Sequence, residues 1–122
     1  MSKREEKYNK EDLQEFRKII VEKLDNANQY LKELEREMRN LTRASHGTLL
    51  EGVESSAEVS QKESLNQIAA RQKKFIKHLE AALQRIEKGT YGICVVTNRL
   101  ISKDRLRLVP HTNHSIEAKM KK

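Results

Sequence analysis

The chain of 122 residues carries 35% charged and 36% hydrophobic side chains, with a formal net charge of +7 at pH 7. Two Phe, three Tyr and no Trp are too few large rings to fill a sizeable globular core, so the apolar groups must lie along a thin seam, as in an elongated helical protein. A single cysteine, Cys94, excludes an internal disulfide and cannot by itself complete a tetrahedral zinc site.

Residues 1–8 are expected to form a flexible N-terminus. Asn9 is suited to cap a helix, with Asp12 three residues on, and no Gly or Pro follows until Gly47. The apolar positions Leu13, Phe16, Ile20, Leu24, Ala27, Leu31, Leu34, Met38 and Leu41 recur at steps of three and four, a heptad seam with one early shift. A helix from Asn9 to about Arg43 would be on the order of 50 Å long, more than a small globular packing needs, so it is expected to project. A connector, Ala44 to about Ser60, contains Gly47, Gly52, four serines and Glu51, Glu54 and Glu58, a composition fitting a solvated tip. Leu65, Ile68, Gln72, Phe75, Leu79, Ala82 and Ile86 then mark a second seam, widened by Ile76 and Leu83. Two such helices bury their stripes most simply as an antiparallel coiled-coil hairpin over residues 9–88.

Gly89 and Gly92 break the pattern and open a small head, 89–122. Ile93–Val96 and Arg99–Ile101 are short β-prone runs about Thr97-Asn98, consistent with a hairpin-like knuckle. Ser102 can cap a short helix carrying Leu106, Pro110 ends it, and the tail from about Thr112 is helix-compatible. Ile93, Val95, Leu100, Ile101, Leu106, Leu108 and Ile116 are the expected packing residues of the head. The fold class is thus all-α dominated: a long hairpin, a small C-terminal head and a C-terminal helix.

Charge is unevenly spread. From Ala44 to Glu63 one Lys faces four Glu, whereas Gly92 to Lys122 holds seven basic residues against two acidic, so one acidic island interrupts a basic chain. Net charge bears on association rather than fold, and +7 points to a polyanion or an acidic protein surface as partner. There is no nucleophile-base-acid set and no glycine-rich phosphate loop, so an enzyme is not expected. A direct nucleic-acid binder is the alternative, although stacking aromatics are few and no major-groove motif is visible. No run of about 18 apolar residues occurs and the charged N-terminus lacks an apolar stretch after it, so the protein is expected to be cytoplasmic, without membrane contact.

The head sequence Gly89-Thr90-Tyr91-Gly92-Ile93-Cys94, then Leu100-Ile101, Arg105-Leu106-Arg107-Leu108-Val109-Pro110-His111 and Ile116-Glu117, resembles the C-terminal zinc-finger region of the DksA/TraR family of bacterial transcription regulators. Ala69-Ala70-Arg71-Gln72 and Leu79–Glu87 are similar to that family's second coiled-coil helix, and the order of segments agrees over nearly the whole chain. The family's Cys-x2-Cys, seventeen residues, Cys-x2-Cys pattern falls on Cys94, Thr97, Ser115 and Ala118, so three of four ligands are replaced and a family-type zinc is not expected. The resemblance is therefore to a zinc-less branch, with no cofactor. A replacement metal site from Cys94, His111 and His114 is the rival reading of those residues.

The resemblance implies binding to RNA polymerase, with the coiled coil entering the secondary channel and tip carboxylates reaching toward the catalytic centre, without sequence-specific DNA contacts. The family's tip motif Asp-x2-Asp-x-Ala falls on Glu51, Glu54 and Ser56, with Ala57 next; both carboxylates are the longer residue. Lys73, Lys74 and Lys77 on the second helix, and Arg99, Lys103, Arg105 and Arg107 in the head, are the candidate docking cations. Guanosine tetraphosphate, the stringent-response nucleotide that cooperates with some relatives, is the small-molecule partner the resemblance raises.

Overall fold

The structure, a computed structural model, describes residues 7–49 and 56–120. Four helices follow in order: α1 (Lys10–Leu49), α2 (Ser56–Lys88), α3 (Lys103–Leu108) and α4 (Ile116–Met120). The described residues contain no strand, only one isolated antiparallel bridge between Ile93 and Leu100. The two long helices pack against each other as a hairpin. Glu51 and Glu54 fall between them, outside the described residues.

Cap chemistry starts α1 at the expected place: the Asp12 amide donates to Asn9 Oδ1 at 2.8 Å and the Leu13 amide to the Asn9 carbonyl at 3.0 Å. The helix continues past Arg43 to Leu49, and α2 begins at Ser56, so both helices extend into the stretch expected as connector. One interior Gly costs about 1 kcal/mol relative to Ala, too little to end a helix that Ala44 and Leu49 favour. Ser56 and Ala57 consequently sit in the first turn of α2, exposed to solvent.

Two compact units divide the chain, one made of α1 up to Asp25 with everything from Lys77, the other of Asn26–Ile76. In the second, Ala27, Leu34, Ala69 and Ile76 are buried, and Leu31, Met38, Leu41, Leu65, Ile68, Gln72 and Phe75 are partly so. The heptad stripe thus faces the partner helix, as a two-helix seam requires. Gln72, the polar member, has a partner across the seam: its Nε2 donates to the Ala27 carbonyl at 3.5 Å. Burying an amide without such a bond would cost free energy.

The first unit holds the larger core. Phe16 and Ile20 of α1 and Leu79 and Ala82 of α2 are buried together with Tyr91, Cys94, Ile101, Leu106, Pro110 and Ala118 of the head. Gly89, at φ +80°, ends α2 in the left-handed conformation, and the Thr90 amide donates to the Arg85 carbonyl at 2.9 Å, satisfying a helix-end acceptor. Ser102 caps α3, its Oγ accepting from the Arg105 amide at 3.2 Å. Of the expected packing residues, Ile101 and Leu106 are fully buried, but Val95 (57% exposed), Ile116 (52%) and Leu108 (80%) are not. Leu108 lies two residues beyond Leu106, about 200° round the helix, so the two cannot both face inward. Val95 follows buried Cys94 in a turn closed by the Asn98 amide donating to the Cys94 carbonyl at 2.9 Å, and both Val95 and Val96 stand out from it into solvent. Tyr91, Cys94 and Pro110 occupy the interior instead.

Tyr8 is packed rather than free. Its hydroxyl donates to the Ile101 carbonyl, 93 residues away, and its ring meets Phe16 edge-on with centroids 5.6 Å apart. Gly92, at φ +83°, passes directly beneath that ring: an added Cβ would lie 2.6 Å from Tyr8 Cδ2 and 2.7 Å from Cε2. Gly92→Ala therefore combines left-handed backbone strain with a clash, and is expected to lower stability by about 1–3 kcal/mol in urea unfolding. In a Tyr8→Ala background the same substitution should cost only the strain, roughly 1 kcal/mol; equal costs in both backgrounds would refute the contact.

Candidate functional site

The head is organised around one sulfur. The chain turns at the knuckle with Asn98 at φ 60°, the Cys94 amide donating to the Arg99 carbonyl at 2.8 Å and the Ile101 amide to the Gly92 carbonyl at 2.7 Å. Cys94 Sγ is buried and accepts from the amides of Val96 (3.4 Å), Thr97 (3.4 Å) and Ser115 (3.3 Å). Burial raises the thiol pKa, but donation from Thr97 and Ser115 outweighs it and pulls the group down to about 6.

Thr97 and Ser115 are thus brought to Cys94, and each lowers its pKa through both its amide and its side chain. Thr97 Oγ1 accepts from the Arg99 amide at 3.3 Å and Ser115 Oγ from the Ala118 amide at 3.1 Å, while buried Ala118 offers only a methyl. One thiol and two hydroxyls, with only a methyl at the fourth position, do not fit a structural zinc ion. Nor are Cys94, His111 and His114 assembled: among the described residues no three His, Cys, Asp or Glu side chains cluster to hold a metal. His114 Nδ1 lies 2.7 Å from Asn113 Oδ1, and the His111 ring stacks on His78.

Two tyrosines tie the knuckle to the helices. Tyr91 donates its hydroxyl to the Pro110 carbonyl at 2.8 Å and packs its ring 5.6 Å from Phe16. Burial pushes its pKa well up, the Arg85 guanidinium acting weakly the other way, so it remains a donor. Tyr8 repeats the arrangement from the other end of the chain; burial first, then Asp12, raises its pKa. Periodicity could not reveal either bond, although a tyrosine beside an apolar seam is a general sign of a buried ring with a polar tip.

The candidate cations differ in their engagements. Lys73, Lys74, Lys77 and Arg99 are exposed. Lys103 pairs with Asp12 at 3.1 Å and lies 5.9 Å from the Tyr8 ring centre, and Arg107 reaches Glu15 and Asp104, each at 3.5 Å. Such open pairs contribute on the order of 0.2–1 kcal/mol each, so they can exchange partners readily. Arg105 is different: Nε donates to the His114 carbonyl at 2.8 Å and Nη2 to Thr112 Oγ1 at 3.4 Å, holding the segment before α4.

No family model matches this chain, and no curated protein matches it. A solved structure does: transcription factor DksA2 from Pseudomonas aeruginosa superimposes with a TM-score of 0.81 at 23% sequence identity, covering 93% of this chain and 84% of that one. The chain has a DksA/TraR-like fold. The DksA-like likeness takes in both helices of the hairpin and the head, since 93% coverage leaves room for neither to be missing. No described helix is long and apolar enough to cross a membrane.

Proposed function

We propose that the chain is a non-enzymatic transcription regulator that binds RNA polymerase, enters the secondary channel with the α1–α2 hairpin and brings Glu51 and Glu54 near the catalytic centre. The observation carrying this reading is the DksA-like fold over nearly the full chain. Its physical basis is a helical hairpin with carboxylates in the sequence between α1 and α2: a channel with low-dielectric walls focuses the field, so an acidic probe is steered toward basic groups or a bound divalent cation. Exposed Lys73, Lys74, Lys77 and Arg99 supply docking charge for acidic surface at the rim, with Lys103 and Arg107 able to join by leaving weak pairs. Arg105 serves the head internally.

A tagged full chain incubated with core RNA polymerase should retain the enzyme at physiological salt. Its affinity for bare duplex DNA should be weak and fall steeply with added salt, as counterion release demands. Tight duplex binding without polymerase retention would replace this reading with direct nucleic-acid binding. Adding guanosine tetraphosphate to matched transcription reactions determines whether that nucleotide cooperates.

A further inference from the structure

The knuckle of the head turns its polar backbone inward and its apolar side chains out. Every amide from Cys94 to Arg99 has an acceptor within the head. Cys94 donates to the Arg99 carbonyl (2.8 Å), Val95 to the Asn113 carbonyl (3.0 Å), Val96 and Thr97 to Cys94 Sγ (each 3.4 Å), Asn98 to the Cys94 carbonyl (2.9 Å) and Arg99 to Thr97 Oγ1 (3.3 Å). Val95 and Val96, each 57% exposed, stand outside this closed turn. Ile116, 52% exposed, follows Ser115, whose amide donates to the same sulfur at 3.3 Å. Three aliphatic side chains thus spring from one small piece of backbone whose knuckle amides need no water.

We propose that Val95, Val96 and Ile116 form an apolar contact of the head with RNA polymerase, seated on a protein surface that presents aliphatic side chains within a carboxylate rim; this rests on the polymerase reading above. An aliphatic patch binds by shedding water, and covering this one leaves no knuckle amide unsatisfied, so the desolvation cost usual for a loop is avoided. The turn is also held in place before binding, with Asn98 in the left-handed conformation at φ 60°, so association has little left to order. Charge selects the partner. From Gly92 to Lys122 the head holds seven basic residues against two acidic, and exposed Arg99 borders the turn. A second copy would bring two such heads together against their repulsion. Nucleic acid is a poor fit, because the patch offers neither an aromatic ring for a base nor a free knuckle amide for a phosphate. Binding at a lipid surface draws on an amphipathic helix with large apolar anchors, which a knuckle of two valines does not supply. An acidic protein surface meets both the apolar and the charged demand.

The test measures the affinity of the full chain for core RNA polymerase over a range of salt. Val95→Thr combined with Val96→Thr keeps β-branched side chains at two solvent-facing positions and replaces a methyl by a hydroxyl at each. The pair should weaken binding by about 10–100-fold, and the ratio to wild type should persist at high salt, because an apolar contact is not screened. Ile116→Ala, made on the other side of the patch, should weaken binding by about 3–10-fold and does not depend on the knuckle variant folding. Arg99→Ala should instead reduce the salt dependence of association. Unchanged affinity in the Val95, Val96 and Ile116 variants, while wild type binds, overturns the patch and leaves the polymerase reading standing; absence of wild-type binding removes both. Two further arms use vesicles of phosphatidylglycerol and sedimentation of the free chain. If the double Thr variant loses vesicle binding or self-association while its polymerase affinity is unaltered, the patch serves a lipid surface or a second copy and the proposal is overturned.

Discussion

Replacing Glu51 and Glu54 together by Ala is expected to leave RNA polymerase retention largely intact while abolishing the chain's effect in reconstituted transcription. The two properties separate because they draw on different surfaces. On the proposed function, retention draws on the α1–α2 hairpin and on exposed cations such as Lys73, Lys77 and Arg99. The effect requires a differential interaction with the states of the promoter complex, typically about 1–3 kcal/mol, or roughly 5–150-fold in an equilibrium. On the proposed function, two carboxylates in a field-focusing channel supply that difference, and Ala supplies none. A Glu51→Asp, Glu54→Asp variant keeps both charges with one methylene less reach, and should retain the direction of the effect. If the double Ala variant regulates as wild type does, the tip mechanism is wrong.

The second large effect concerns the packing of the head. Leu106 is fully buried and lies near Gly92, where an added Cβ would come within 3.5 Å of its Cδ1. Leu106→Ala should cost about 2–5 kcal/mol in urea unfolding, the range for a buried leucine leaving a cavity. A chelator, by contrast, should not move the wild-type unfolding midpoint, because the residues beside Cys94 offer hydroxyls and a methyl where a structural zinc ion needs thiolates or imidazoles. One equivalent of zinc in purified protein, lost in Cys94→Ala, would show that the head is metal-held after all.

Both long helices could be read from the residues because their signal is local and repeated: each seam residue from Leu13 to Leu41, and from Leu65 to Ile86, is buried or half-buried in the structure. The caps at Asn9 and Ser102 were legible for the same reason, since a side chain bonding an amide three residues away depends only on its neighbours. The head was read less well. With α3 only six residues long, its stretch is too short to establish a period, and an inward role was assigned to Leu108 and Ile116, which face solvent. Quartet spacing did bring Thr97 and Ser115 to Cys94, but which atoms met the sulfur was not in the spacing.

By itself, then, the sequence determined the two heptad stripes, their caps and stops, and the acidic island between basic flanks. Each of these is a property of residues close together in the chain. Only the tertiary structure decided that Tyr8 reaches Ile101, that Tyr91 reaches Pro110, that Arg105 is held internally, and that His78 stacks on His111. Those contacts join residues up to 93 positions apart. No periodicity encodes them: they arise when the packed helix ends and the returning head confine a few polar tips to a small interior, where each must find a partner or incur the cost of desolvation.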